Sequence, residues 1–572
     1  MPSRGQAASL YSLDPSQRVT VELHDEDDAE TRARKLFEAV AGDIFYVRLQ
    51  QLAWSSFSKN KNYLTEFASA PSSSSSAAVT QLLEETGLRD VITNIAIRLY
   101  ERSAALCSKT AGATSRYART SRDESIDCIR ETRIAWEQGI NEELLAIVSE
   151  SRRPFAVVRP AGVQNPLLES NALQSVPRES VRFLFDSEDL LETCVSIRNP
   201  NMRASHVERR LGLVKIALKV PSLYDLIKRY NELSPQFTQL GLDEAFLAGA
   251  HTGSKLSLDR HEQAEAISSF GNAIDARIFA RRGCPPSLRG RVWRVALGLP
   301  DDPEADPWEG ATFARLRGLC DSMDLLTDEL FLHDVQNVTD DPRFFVFEDE
   351  LKESVLCFAR DDWVRFNSAY EVHRPLLGLA AASGGAVSGG GDAQHVLSPS
   401  SSSPPSAVQP FLGFAIYFAP LCYVYRDRVA LYSVARQLWA RLWCKLNVLS
   451  GDEGTLMHVC GTFESLLFSL HPRLFLHCLK IGVQPLQVAL PWMQLGFAGF
   501  LEVDQVLHLW DRILGYQDPT LLAVMAVAIF MLRAEAILCS NVANDVGVML
   551  LEGSRLRVVP MLQLVLFSHS SP

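Results

Sequence analysis

The sequence has no C-x-x-C pair, no H-E-x-x-H and no Gly-Lys-Ser/Thr loop, which closes three common routes to metal or nucleotide chemistry. A zinc site wants ligands two to four residues apart. The eleven cysteines are instead scattered from Cys107 to Cys539, mostly in apolar company, as with Cys357 in Val355-Leu356-Cys357-Phe358 and Cys444 beside Trp443. They read as reduced, buried thiols of a cytoplasmic protein, with no metal and no cofactor. An excess of positive charge is also missing. Fifty-six Lys and Arg face 68 Asp and Glu, a net charge of −12, so no whole-protein basic footprint exists for nucleic acid. Met1-Pro2-Ser3-Arg4-Gly5 lacks the apolar core of a signal peptide. The longest apolar run, Leu521 to Leu532, has 12 residues and ends at Arg533. It falls short of the ~20 residues that span a bilayer and reads as a buried helix, leaving no integral membrane segment.

What is present is ordinary globular composition, 47% apolar and 22% charged, over 572 residues. That length exceeds one hydrophobic core, so two domains are expected. Residues 1–20 read as a flexible tail. Residues 21–255 read as a mostly helical domain with a Ser-rich linker near 71–78, and residues 276–572 as a second domain that is helix after helix. Within the first, Ala33, Phe37, Val40, Ile44 and Val47 share a helical face behind the acidic run Asp25 to Glu30. Leu88, Ile92, Ile95 and Leu99 do the same, and periodicity returns from about Asp123 to Glu150. Leu211 to Val220 alternates and is rich in β-branched residues, which predicts one short extended segment, with a helix over Leu223 to Leu233. The polar stretch 250–275 reads as the join.

From Pro286 onward a proline opens a helix and Gly298-Leu299-Pro300 closes it. Leu431, Ala435, Leu438, Leu442 and Leu446 form one apolar stripe, and Val506, Leu509, Trp510, Ile513 and Leu514 another. No strand pairs are expected in this half, so the fold class is all-α. Residues 380–408, dense in Gly, Ser and Pro, cannot bury enough surface to fold and are expected to form a mobile loop.

Two motifs carry the function. Gly283-Cys284-Pro285-Pro286-Ser287-Leu288-Arg289-Gly290-Arg291-Val292-Trp293 comes first, and Trp510-Asp511-Arg512-Ile513-Leu514 follows some 220 residues later. In this order, with an all-α interval between them, the half from about Arg281 to Phe567 resembles the TBC domain, the helical module that accelerates GTP hydrolysis by Rab GTPases. Arg198-Asn199-Pro200-Asn201, Phe345 to Asp349, Ala419-Pro420-Leu421-Cys422 and Trp510 to Tyr516 are similar to one subgroup of that family. Trp293 and Trp510 are read as core residues that specify the fold rather than perform chemistry.

The resemblance implies a chemistry. A small GTPase is slow because little stabilises charge on its γ-phosphoryl oxygens. An arginine supplied in trans is worth roughly 10³–10⁵ in rate, about 4–7 kcal/mol. TBC domains supply that arginine from Ile-x-x-Asp-x-x-Arg and a water-orienting glutamine from Tyr-x-Gln-Gly-Met. Phe331-Leu332-His333-Asp334-Val335-Gln336-Asn337 fits the first register, with Asp334 at the aspartate and Asn337 at the arginine. Pro410-Phe411-Leu412-Gly413-Phe414 fits the second, with Gly413 at the glycine and Leu412 at the glutamine. Neither replacement can do the work, since an amide has no charge and leucine has no polar atom. Arg343, six residues past Asn337, is the surrogate to weigh, and Gln409 precedes Leu412 by three; an arginine beside Asp341 is more often a solvated pair.

Other constellations carry less. His471 and His477 lack metal spacing, and the glycines at 383–391 follow no strand. Glu348-Asp349-Glu350 diverge around a helix axis. With no nucleophile–base pair legible, the chain is a regulator rather than a standalone enzyme. The expected function is regulation of a GTP-bound Rab-type GTPase, as a GTPase-activating protein by family resemblance, with atypical or lost two-finger catalysis. The alternative is a non-catalytic Rab-binding scaffold or adaptor in membrane trafficking, cytoplasmic and peripheral to membranes through its partner.

Overall fold

The computed structural model describes residues 115–160, 165, 183–197, 212–214, 216, 218–242, 250–303, 307–370, 403–553 and 555–568. The expected tail, the helical faces within 33–99, the linker at 71–78, the motif at 198–201 and residues 380–402 lie outside them. By contact the chain divides into one compact unit of residues 124–200 and 211–572 and another of 1–123 and 201–210.

In the first half the described helices are α1 (Ser115–Ser151), α2 (Ser187–Ser196), α3 (Leu223–Arg229) and α4 (Ala250–Phe270), with the strand β1 (Ala156–Val158). There follow α5 (Ala273–Ala280), α6 (Arg289–Leu297), α7 (Pro307–Ser322), the strand β2 (Met323–Leu325), α8 (Asp328–Thr339), α9 (Glu348–Ala359) and α10 (Asp362–Asn367). The last group is α11 (Arg428–Arg441), α12 (Leu456–Leu470), α13 (Pro472–Lys480), α14 (Pro485–Gln494) and α15 (Val503–Tyr516), then α16 (Leu521–Leu532), α17 (Ala534–Cys539), α18 (Ala543–Leu551) and α19 (Val558–Phe567). Among the described residues the fold is all-α apart from one two-stranded ribbon.

Local chemistry places these ends. Asp186 caps α2 by accepting the N–H groups of Glu188 and Asp189, while Asp189 accepts the N–H of Asp186 in return. Ser222 and Asp225 form the same reciprocal box on α3. Gly298 closes α6 in the left-handed region at φ 82°, the bracket its sequence predicts.

Two sequence readings need correction. Among its described residues the segment 211–220 is irregular, and the strand of the first half is Ala156–Val158 instead. It pairs antiparallel with Met323–Leu325, so a strand pair does enter the C-terminal half. Three residues are too few for alternation to register, and prolines at 154 and 160 bound the run. Residues 250–270 form a continuous helix, packed beside α5 and α6. At the end of the Gly/Ser/Pro stretch, Ser406 and Val408 are buried, and the N–H of Ser406 donates to the Ala359 carbonyl.

The core runs through α16. Every residue from Leu521 to Phe530 is fully buried, because α12, α14 and α19 surround it. A helix apolar on all sides is stable only inside such a packing. Among the described residues no helix is long and apolar enough to cross a membrane.

Candidate functional site

The two sequence motifs meet in the interior. The Asp511 carboxylate on α15 accepts the Trp293 indole N–H at 2.7 Å, the Arg289 guanidinium at 3.1 Å through both Nε and Nη2, and the Cys284 N–H at 3.0 Å. Burial would raise this carboxyl, but the Arg289 charge beside it wins and holds it below the usual range. Trp510 packs between Trp293 and Trp443, with centroids 6.5 and 4.8 Å away, and donates to the Gly496 carbonyl. Gly290 lets Tyr425 close in: the phenol donates to its carbonyl at 2.9 Å, and a Cβ there would lie 3.1 Å from the ring. Asp511, Trp293 and Trp510 are sealed from solvent. This hub bolts α6 to α15.

The second set of residues reaches the surface. Asp334 is buried on α8 and accepts the N–H groups of Gly413 and Ala415, each at 2.6 Å. It thereby ties α8 to the loop that follows residue 408. Gly413 stands at φ 98°, and a Cβ on it would lie 2.9 Å from a Leu495 methyl, so both conformation and space call for glycine. One turn beyond Asp334, Asn337 is exposed on α8. Leu412 is 37% exposed on the loop. The two face one cleft of about 420 Å³, whose floor includes Val338, Ile416 and Leu495. The positions assigned to the arginine and the glutamine therefore share a wall-to-wall site, occupied by an amide and an isobutyl group.

The neighbouring polar candidates are engaged. Arg343 binds both carboxylate oxygens of Asp341 and donates to the Leu501 carbonyl at 2.8 Å, which leaves its side chain 27% exposed. The hydrogen bonds from Arg343 hold the Asp341 carboxyl below the usual range. Gln409 is buried, with its amide nitrogen on the Ser403 hydroxyl. Glu348 pairs with Lys352 and Glu350 with Arg428. His471 caps α13, and His477 Nε2 lies 2.8 Å from the Ser540 carbonyl. No group of three or more metal-ligating side chains occurs among the described residues.

One part of the cleft escaped the sequence reading. Asp186 and Glu188, at the start of α2, line it together with Asn337. The Leu412 N–H donates to the Phe185 carbonyl, and the Phe185 ring stacks on Phe411 with centroids 5.0 Å apart. The capping pattern Asp186-x-x-Asp189 ahead of Leu190 and Leu191 marks a helix start in sequence, but nothing local says where that helix docks.

The Rab-GTPase-TBC domain family matches residues 408–538. Over 457 residues the chain is 31% identical to TBC1 domain family member 19 of Homo sapiens, covering 78% of this chain and 83% of that protein. Two solved structures are similar over 52% of the chain at 13% identity. They are the Chlamydomonas flagellar RabGAP TBC domain, with TM-score 0.35 over 85% of its length, and the Ypt/Rab-GAP domain of Gyp1p, with TM-score 0.36 over 93%.

Proposed function

Because the chain belongs to the TBC domain family, we propose that it is a Rab regulator that docks a GTP-bound Rab-type GTPase over the Asn337–Leu412 cleft and lacks the two-finger route to faster hydrolysis. The observation that carries this reading is the pairing of Asn337 and Leu412 on one cleft, joined through Asp334 and Gly413. Their backbone frame supports an assignment as finger positions. Their side chains supply neither the charge that stabilises a γ-phosphoryl group nor an amide that orients water.

Docking does not need those two groups. A stable protein interface buries about 800 Å² on each partner, far more than two side chains cover, and a few anchors dominate its energy. The chain is thus a GTPase regulator acting through binding, peripheral to trafficking membranes by way of its partner, rather than an enzyme with chemistry of its own. The runner-up, a non-catalytic Rab-binding scaffold or adaptor in membrane trafficking, is favoured by the same uncharged tips.

The test is retention of purified Rab GTPases, loaded with GDP or a non-hydrolysable GTP analogue, on the immobilised chain. Retention of at least one Rab in its GTP form, lost on Leu412→Glu, supports docking at this cleft. Retention of none, or retention untouched by Leu412→Glu, removes the reading.

A further inference from the structure

The start of α2 lines the same cleft as Asn337 and Leu412. Phe185 is buried against Phe411 and Trp136, and its carbonyl holds the Leu412 N–H, so this segment is built into the finger loop rather than lying beside it. Leu190, Leu191 and Cys194 are buried and anchor α2, which packs against α14. The next residues, Asp186 and Glu188, then line the cleft together with Asn337.

A helix N-terminus ordinarily welcomes an anion through its free N–H groups. Here the Asp186 carboxylate already takes the N–H groups of Glu188 and Asp189 at 2.8 and 3.0 Å. The helix end is therefore neutralised by a resident charge, and Glu188 adds a second. No Lys, Arg or His is among the residues that line the cleft.

We propose that residues 185–188 are an electrostatic guard on the docking face, which keeps phosphate out of the cleft between Asn337 and Leu412. The inference rests on the docking reading above and specifies it. A partner's GTP state is sensed through the shape of its own surface and not by contact with its γ-phosphoryl group. The uncharged amide at position 337 and the carboxylates of Asp186 and Glu188 then act in the same direction.

The guard can be measured without any GTPase. The full chain carrying Asn337→Cys is alkylated with iodoacetate, an anion, and with neutral iodoacetamide, and the peptide holding position 337 is quantified by mass spectrometry. The ratio of the two rates reports the local potential, since thiolate content cancels. Adding Asp186→Asn, which keeps a capping side chain, and Glu188→Gln, which keeps shape, should raise the iodoacetate share by about threefold, as expected for removing nearby charges screened by water. A ratio unchanged by both substitutions overturns the guard. Leu412→Cys, which lines the same cleft, gives a second reading if the first variant folds poorly. Loss of the docking reading in the Rab retention test would leave this ratio intact, so the two can fail separately.

Discussion

The Gly413 N–H donates to the Asp334 carboxylate at 2.6 Å across 79 residues of sequence, and this bond fixes the loop bearing Leu412 against the helix bearing Asn337. In the reading proposed above, the cleft keeps the frame of an activator site while its two tips are uncharged. Several measurable consequences come from that frame and from the core beneath it.

Gly413→Ala should destabilise the chain by ~1–3 kcal/mol, because a side chain is strained in the left-handed region. Its Cβ would also meet Leu495 at 2.9 Å. The urea midpoint should fall and any Rab retention should weaken with it. A midpoint equal to wild type would show that the loop is free to move.

Asp334 gives a pH dependence. Burial pushes its carboxyl up to about 7 against the opposing N–H groups of Ala415, Gly413 and Phe414, from an ordinary value of 3.8. Between those values the folded chain binds a proton that the unfolded chain has released. Its contribution to stability is therefore complete below the unfolded value and is lost as pH rises through about 7. The slope from this group is at most ~1.4 kcal/mol per pH unit. Denaturant midpoints followed from about pH 5 to 7.5 should fall less steeply in Asp334→Asn than in wild type. Glu464, which accepts the N–H groups of Leu213 and Val214, is raised to about 7 by burial in the same direction, so a residual slope should persist until Glu464→Gln is added. Equal slopes in wild type and both variants would contradict this account.

Asp511→Ala should be far more damaging than a typical surface change. It strands the buried Arg289 guanidinium and the Trp293 N–H together. Breaking one side of a buried ion pair costs ~3–5 kcal/mol. Urea unfolding would register the loss. A loss below about 1 kcal/mol would mean the hub is not what bolts α6 to α15.

Thiol accessibility tests the packing. Cys539 is exposed and Cys128 partly so, whereas Cys194, Cys284, Cys320, Cys357, Cys422, Cys444, Cys460 and Cys478 are buried. Burial also raises three of these thiols, Cys194 and Cys422 to about 12 and Cys444 to about 11. Among the cysteines of the described residues, native-state alkylation mapped by mass spectrometry should therefore mark Cys539 first and leave those eight until denaturant is added. Early labelling of Cys444 or Cys460 would refute the packing.

Much of this was legible in the chain itself. The apolar run at 521–532 could only be an interior helix, and the spacing of Leu431 to Leu446 and Val506 to Leu514 set which faces turn inward. Asp334, Asn337, Leu412 and Gly413 were placed by register with known motifs, and they line one cleft. The ribbon of Ala156–Val158 with Met323–Leu325 was not readable, because each strand is three residues long and their pairing is non-local. Nor was the role of Asp186 and Glu188. A capping pattern marks where a helix begins, whereas the neighbour it meets is decided by Phe185 finding Phe411 more than 200 residues away.

The central claim concerns rate. Single-turnover hydrolysis of GTP by each Rab that the chain retains should stay within about twofold of the Rab alone at saturating chain, since the ~10³–10⁵ supplied by an arginine finger is absent. Arg343→Ala should change nothing. Acceleration of a hundredfold or more, abolished by Arg343→Ala, would reveal a working cation at this site and contradict the account.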